Sequence, residues 1–318
     1  MHLQGCREES CMTGQEIARL LSEHIDERFI HPDQPMAEYT SFRTGGSALC
    51  VVEVHDLEEL RRVLTCVRKK FLPYSILGNG TNTLVEDEGY SGVAIVLDGE
   101  FKKIDVTGYE VTAGGGASLA AAGRMAADMW LTGMEWACGI PGTIGGAIRM
   151  NAGAFGSDMS KIVKRVRALT TAGEEIVLRP AELQFKYRHS LFCEKKYVVL
   201  EAVFELQKGD KNEINSTIEN YAKERRDKQP LDLPSAGCIF KNPKEGSAAK
   251  MIDDAGLGGS YVGGAMVSKK HCNFIVNTGK ATATDITRLI DNVRREVYNY
   301  NGVRLEPELC VLGRPGRY

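Results

Sequence analysis

What this chain lacks narrows it before anything it contains. Its most apolar stretch, residues 134–156, is cut by six glycines and Pro141, so it cannot supply the ~20 unbroken apolar residues of a membrane-spanning helix. No apolar run near the start is long enough for a secretory signal. Charge of one sign is also missing. Lys and Arg total 40 against 42 Asp and Glu, which leaves no basic excess to neutralise nucleic-acid phosphates. The nine cysteines are odd in number and none forms a CxxC pair. That argues against a disulfide framework or a zinc site and fits a reducing cytoplasm. There is no Gly-Lys-Ser/Thr, hence no Walker loop. The loop Gly78-Asn79-Gly80-Thr81-Asn82 lacks the third glycine and the following acidic ribose ligand of a dinucleotide fingerprint.

What remains is organised around residues 134–156. Gly139, Gly142, Gly145, Gly146, Gly153 and Gly156 crowd an almost uncharged segment, and glycine weakens both helix and strand interiors. The segment therefore reads as irregular backbone. One use of such a run is a core-crossing loop of tight turns; the other is a seat of bare N–H groups for a flat ligand. A second loop, Gly78-Asn79-Gly80-Thr81-Asn82, has the composition of an anion-binding nest, although alone it serves equally as a hairpin turn. A third, Arg43-Thr44-Gly45-Gly46, precedes a strand. Together the three suit a pyrophosphate at one loop and a large planar ring on another.

Along the chain, residues 1–11 read as a polar extension, with Met12 an alternative start. A weak helical period over 14–30 is broken by Pro32 and Pro35. A strand at 48–54 leads to a helix that Asp56 caps, with Glu59 three residues on completing a capping box. The apolar spacing of this helix runs through Leu57, Leu60, Val63, Leu64, Val67 and Phe71. Further strands are expected at 92–97, 104–106, 110–113, 162–169, 174–178 and 197–206, with one helix after Ser118. Beyond a polar stretch at 207–212 come a charged helix to 228, a short helix from Ser247, a strand over 271–277, a helix over 284–300 and a last strand over 304–312. There is no internal repeat. This is an α+β chain, divided into 1–35, an extension and helix; 36–207, the glycine-loop domain; and 208–318, a compact α/β domain.

Seven segments, FRTGG (42–46), ILGNGTN (76–82), CGIPGTIGGAIRMNAGAFG (138–156), YRHS (187–190), AGCIFKNP (236–243), KHCNFIVN (270–277) and LEPEL (305–309), resemble in content and order the UDP-N-acetylenolpyruvoylglucosamine reductases. These are bacterial flavoenzymes of peptidoglycan precursor synthesis. The resemblance covers the chain from about Tyr39 to Gly313. It implies an FAD-binding domain of the vanillyl-alcohol-oxidase (PCMH) type, made of two subdomains, and a C-terminal substrate-binding domain. The short connection from Arg188 to Cys238 resembles the family type without an extra substrate-capping loop.

The resemblance further implies that NADPH reduces bound FAD. Hydride then passes to the enolpyruvyl methylene of a UDP-sugar, and a protein acid protonates the neighbouring carbon. The matching catalytic positions are Arg188, Cys238 and Glu308. Arg188 carries a permanent fork suited to a carboxylate. Cys238 stands where the family usually has serine; a thiol can still deliver a proton, while a plain small buried cysteine is the other reading. Glu306 alternates onto the same strand face as Glu308, so the choice between them rests on the resemblance. The cofactor residues it implies are Arg43, Gly45, Gly78, Asn79, Gly80, Thr81, Asn82, Gly139, Ile140, Pro141, Gly142, Gly145, Gly146, Ala152 and Gly153. Tyr187, Arg225, Lys241, Asn242 and His271 are the implied substrate contacts. Thr81 stands where covalently flavinylated relatives of the wider fold carry histidine, so non-covalent FAD is expected. Two rivals stand beside this reading. One is an oxygen-dependent sugar or alcohol oxidase; the other is a non-catalytic nucleotide-sugar-binding protein in which Cys238 marks a lost activity.

Overall fold

The computed structural model describes residues 12–313, so the expected extension at 1–11 lies outside the described residues. Helix α1 (Gly14–Leu21) starts at Thr13, whose side chain and that of Glu16 cap each other's backbone. It buries Ile17 and Leu21 on a four-stranded sheet ordered Ile30–Pro35, Ser47–Val54, Tyr90–Leu97, Tyr74–Leu77. The three strands after the first run parallel. Their near-continuous Val, Ile and Leu content fits a sheet covered on both faces.

Two expectations change here. Residues 30–35 are not a break but an edge strand, registered antiparallel from Ile30 opposite Val52 to Pro35 opposite Ser47. Proline is tolerated there because an edge strand has one ladder to satisfy, not two. Residues 14–35 thus belong to the first unit, and the division at 35 does not separate them from it. Helix α2 (Leu57–Lys69) does start at Asp56, which accepts the Glu59 N–H, but Glu59 in turn accepts the N–H of His55 rather than of Asp56. Leu60, Val63, Leu64 and Val67 are buried as their spacing predicts. Phe71 is not: it lies past the helix end at φ 53°, 93% exposed.

The second unit is a five-stranded antiparallel sheet ordered Glu175–Leu178, Val163–Leu169, Val198–Glu205, Glu110–Gly114, Ile104–Thr107. Helix α3 (Leu119–Asp128), capped by Ser118, shares its core with Trp136, Phe192 and Phe204. The glycine-rich centre corrects the reading of it as wholly irregular. Ile144–Met150 forms a helix, α4, capped by Thr143 and ended by Asn151 at φ 41°. Glycine costs a helix about 1 kcal/mol per residue relative to alanine, and burial of Ile144, Ala147 and Ile148 opposes that cost. At Gly145 the missing side chain is itself required, since a Cβ there would lie 2.9 Å from the Gly115 carbonyl oxygen. A short α5 (Leu191–Glu194) follows.

Helix α6 (Lys211–Lys228) buries only Ile214 fully and lies along the second unit rather than the third. The third unit is the sheet Ser235–Cys238, Phe274–Asn277, Ala265–Val267, Tyr261–Val262, with α7 (Ala248–Asp254) and α8 (Ala283–Asn301). The apolar stripe of α8, Ile286, Leu289, Ile290, Val293 and Val297, faces its core. The expected last strand shrinks to Cys310–Leu312, and it pairs in parallel with Thr83–Val85 of the first unit. Asp87 accepts the N–H groups of Ala283 and Thr284 at 2.7 and 2.9 Å, capping α8 from the first unit. On the far side of the expected boundary near 208, α6 thus keeps to the second unit and the last strand returns to the first.

Candidate active site

Two glycine loops meet face to face. Residues 78–82 follow the strand Tyr74–Leu77, and the N–H groups of Asn79, Gly80, Thr81 and Asn82 donate to no backbone carbonyl among the described residues. Gly80 holds φ 60°, and a Cβ on it would lie 2.0 Å from the Tyr39 carbonyl oxygen. Only glycine lets residues 39–41 close behind the loop. Ser41 secures that contact by donating its N–H and hydroxyl to the Gly80 carbonyl. The Thr81 hydroxyl donates to Pro141 O at 3.2 Å, and a Cβ on Gly78 would lie 2.6 Å from Thr143 Oγ1. The anion loop thus rests on the start of α4.

Between them, Gly78, Asn79, Gly139, Pro141 and Gly146 stay exposed above a buried floor that includes Ile144 and Ala147, with Ile140 and Ala152 half-buried. Free N–H groups beside side-chain-free backbone fit a dinucleotide-type pyrophosphate and a flat ring. Not every expected cofactor residue is placed for contact. Gly45, Gly145 and Gly153 each allow close approach of other backbone, to Val85, Gly115 and Ser157 respectively. Arg43 is exposed at φ 54°. The Asn82 side chain is spent on protein, donating to Glu308 O at 3.1 Å.

Arg188, Cys238 and Glu308 come together from three elements. Arg188 Nε stands 3.1 Å from Glu308 Oε1, with the two side chains 23% and 13% exposed. That pair is close but too poorly aligned for a hydrogen bond by Nε. Nη1 donates to Gly153 O at 3.2 Å. Arg188 has φ 52°, an uncommon backbone state for a long side chain and one that collects at functional sites. Burial raises the Glu308 carboxyl, with Arg188 opposing. Burial, with Glu308 adding to it, pushes the Cys238 thiol up to about 11, against the pull of Arg188 and Arg225. At neutral pH this thiol keeps its proton. Arg225 joins from α6, its side chain crossing Gly139, where a Cβ would lie 3.0 Å from Arg225 Cδ. Burial draws its guanidinium down from the usual range.

Glu306 does not share this site. Pro307 bridges to Phe240 instead of continuing a strand, so alternation fails, and Glu306 is 70% exposed, 2.6 Å from Lys241 Nζ. Asn242 uses its side-chain oxygen to accept the Ala248 N–H and gives its own N–H to the Tyr187 hydroxyl at 3.3 Å. His271 sits edge-on to Phe274, its Nδ1 buried and without an aligned partner, and burial draws its pKa down. Asn273, two residues on, is buried. Its side-chain oxygen accepts from Phe240 N and its nitrogen donates to Phe240 O, which fixes the loop after Cys238. The one group of metal-type donors among the described residues, Glu53, His55 and Asp98, lies at the ends of first-sheet strands, where Lys102 and Gly99 N–H already engage Asp98.

Comparison with known proteins decides the family. Over 285 residues the chain is 45% identical to the UDP-N-acetylenolpyruvoylglucosamine reductase of Lachnoclostridium phytofermentans, covering 88% of this chain and 92% of that one. The chain belongs to this reductase family. The enzyme of that name from Clostridioides difficile is 41% identical, covering 95% and 99% of the two chains. The crystal structure of the reductase from Thermus caldophilus matches with a TM-score of 0.77 at 37% identity, over 87% of this chain and 96% of that one. Residues 229–312 match the C-terminal domain of this family and residues 48–179 match the FAD binding domain. The chain is an FAD-dependent oxidoreductase of α+β fold, as the glycine loops imply. No described helix is long and apolar enough to cross a membrane.

Proposed function

We infer that the protein reduces UDP-N-acetylglucosamine enolpyruvate to UDP-N-acetylmuramate with NADPH, in peptidoglycan precursor synthesis. One observation carries the reading: an arginine, a buried thiol and a buried carboxylate converge beside a seat of bare backbone. Loops 78–82 and 139–146 would hold FAD non-covalently, and the bound cofactor, reduced by NADPH, would supply the hydride. The chain's own groups do the rest.

Arg188 offers two N–H donors to the enolpyruvyl carboxylate, and so stabilises the negative charge that gathers on the adjacent carbon. Cys238 then gives that carbon its proton. The thiolate left behind lies near the guanidinium groups of Arg188 and Arg225 and regains a proton from water. A general acid must hold its proton until the carbon demands it; a thiol near 11 does so across the physiological range. Glu308, beside Arg188, keeps the guanidinium in place and its backbone ties back to Asn82. Residues 208–318 hold the nucleotide sugar, with Lys241 and Arg225 the cations suited to its diphosphate, and the site works in the cytoplasm.

The test is anaerobic. NADPH should bleach the yellow holoenzyme, and UDP-N-acetylglucosamine enolpyruvate should restore the colour stoichiometrically. Recolouring only on admission of oxygen, with the nucleotide inert, sinks this reading and favours an oxidase.

A further inference from the structure

The 18-residue α6 carries Arg225 to the site yet has one fully buried residue, Ile214, near its start. Past that point Thr217, Ile218, Tyr221, Ala222 and Arg225 are half-buried, and the most specific contact among them is aromatic. The Tyr221 ring lies on the Phe155 ring at 3.9 Å between centroids and 3° between planes. Tyr221 and Arg225 are four residues apart and so share a helix face. Phe155 sits at φ 53° in the turn joining Gly153–Ala154 to Ser157–Asp158, and Gly153 O is the acceptor for Arg188 Nη1. One ring stack therefore joins the helix that delivers Arg225 to the hairpin that steadies Arg188. We propose that Phe155 and Tyr221 are a positioning pair, acting through Arg225 and Arg188 on the nucleotide-sugar half of the reaction and on Cys238.

The argument is geometric. The Arg225 side chain passes so close to Gly139 that a Cβ there would lie 3.0 Å from its Cδ, and its charge is felt at Cys238, so a small rolling of α6 moves its guanidinium away from the thiol. The helix is held at its two ends by other means: Asp210 caps the start, and Lys270 Nζ donates to Arg226 O near the finish. Neither of these sets the roll of the middle turns. The parallel Phe155–Tyr221 contact, with the half-buried Ile218 and Ala222 beside it, does, because rolling α6 would open the 3.9 Å ring-to-ring approach. The Tyr221 hydroxyl has no hydrogen-bond partner among the described residues, so the ring and not the hydroxyl performs this task.

This proposal rests on the functional reading above, and its test separates the two. Tyr221→Ala should leave the rate of flavin bleaching by NADPH within about twofold. It should raise by about tenfold the nucleotide concentration needed for half-maximal recolouring, the size expected for losing an aromatic pair. Tyr221→Phe should behave as wild type. Phe155→Ala should reproduce Tyr221→Ala, and the double variant should be no worse than either, since both remove the same contact. Equal loss in both half-reactions, damage by Tyr221→Phe, additive losses or no effect would each overturn the pairing. If wild type itself is not recoloured by the nucleotide, the functional reading falls and the stack is judged without turnover. Iodoacetamide should then label Cys238 more slowly in Tyr221→Ala than in wild type at one fixed pH, because a withdrawn Arg225 no longer favours the thiolate. Unchanged or faster labelling rejects the pair.

Discussion

Consider the reactivity of Cys238 in the holoenzyme. Its thiol is pushed up to about 11 by burial and by Glu308, and only the thiolate attacks an alkylating agent. At pH 8 a thiol of ordinary pKa ~8.5 is about one-quarter ionised, whereas one near 11 is about one-thousandth ionised, a disadvantage of roughly two hundredfold. Burial alone could slow labelling as well, so the slope with pH is the decisive quantity. Iodoacetamide labelling of Cys238, followed by peptide mass spectrometry, should keep rising about tenfold per pH unit through pH 9.5. An ordinary thiol levels off by then. The sign for stability follows from linkage. The folded thiol holds its proton longer than the unfolded one, so the fold is unaffected below about pH 8.5 and weakens as pH rises toward 11, by up to about 1.4 kcal/mol per unit. In Cys238→Ser that alkaline decline should be smaller while turnover persists. A labelling rate that saturates between pH 8 and 9 would refute the buried, protonated thiol and the acid role built on it.

Four other outcomes follow from the same geometry. Arg188→Lys should slow recolouring by the nucleotide on the order of a hundredfold, since a point charge replaces a fork at a site that needs one, with bleaching by NADPH unaffected in stopped-flow traces. Gly80→Ala should yield protein with little flavin, read from the visible-to-ultraviolet absorbance ratio, because a Cβ there meets Tyr39 O at 2.0 Å from a φ of 60°. Asp87→Ala should cost about 1–2 kcal/mol in a denaturant titration by freeing the Ala283 and Thr284 N–H groups while the Thr282 cap of α8 stays in place, whereas unchanged stability would mean that solvent satisfies those two groups equally well. Glu306→Gln should tighten binding of the nucleotide diphosphate two- to threefold at low salt by releasing Lys241, a modest effect because exposed ion pairs contribute ~0.2–1 kcal/mol, and isothermal titration would show it.

The local features read most securely from sequence were those that neighbours along the chain determine. Asp56, Ser118 and Ser247 each begin a helix, since a cap bonds N–H groups two or three residues away. The buried stripe of α8 follows from a 3.6-residue period. The glycine loops announced themselves by composition, and the segments from FRTGG to LEPEL indicated the family. Beyond that range the sequence was ambiguous. Pro32 and Pro35 read as a break because nothing local says that a strand has an open edge. The seven-residue α4 forms against glycine's preference because distant residues bury Ile144 and Ile148.

The active site shows the division most sharply. Sequence alone supplied Arg188, Cys238 and Glu308 as chemical types and, by resemblance, as a set. It could not distinguish Glu308 from Glu306, two residues apart. Tertiary structure did, by turning one to Arg188 in a buried cleft and the other to Lys241 at the surface. Nor could it foresee a thiol near 11 or a helix steered by one ring stack. Burial and charge proximity are sums over atoms brought together from all along the chain, and they come into existence only when it folds.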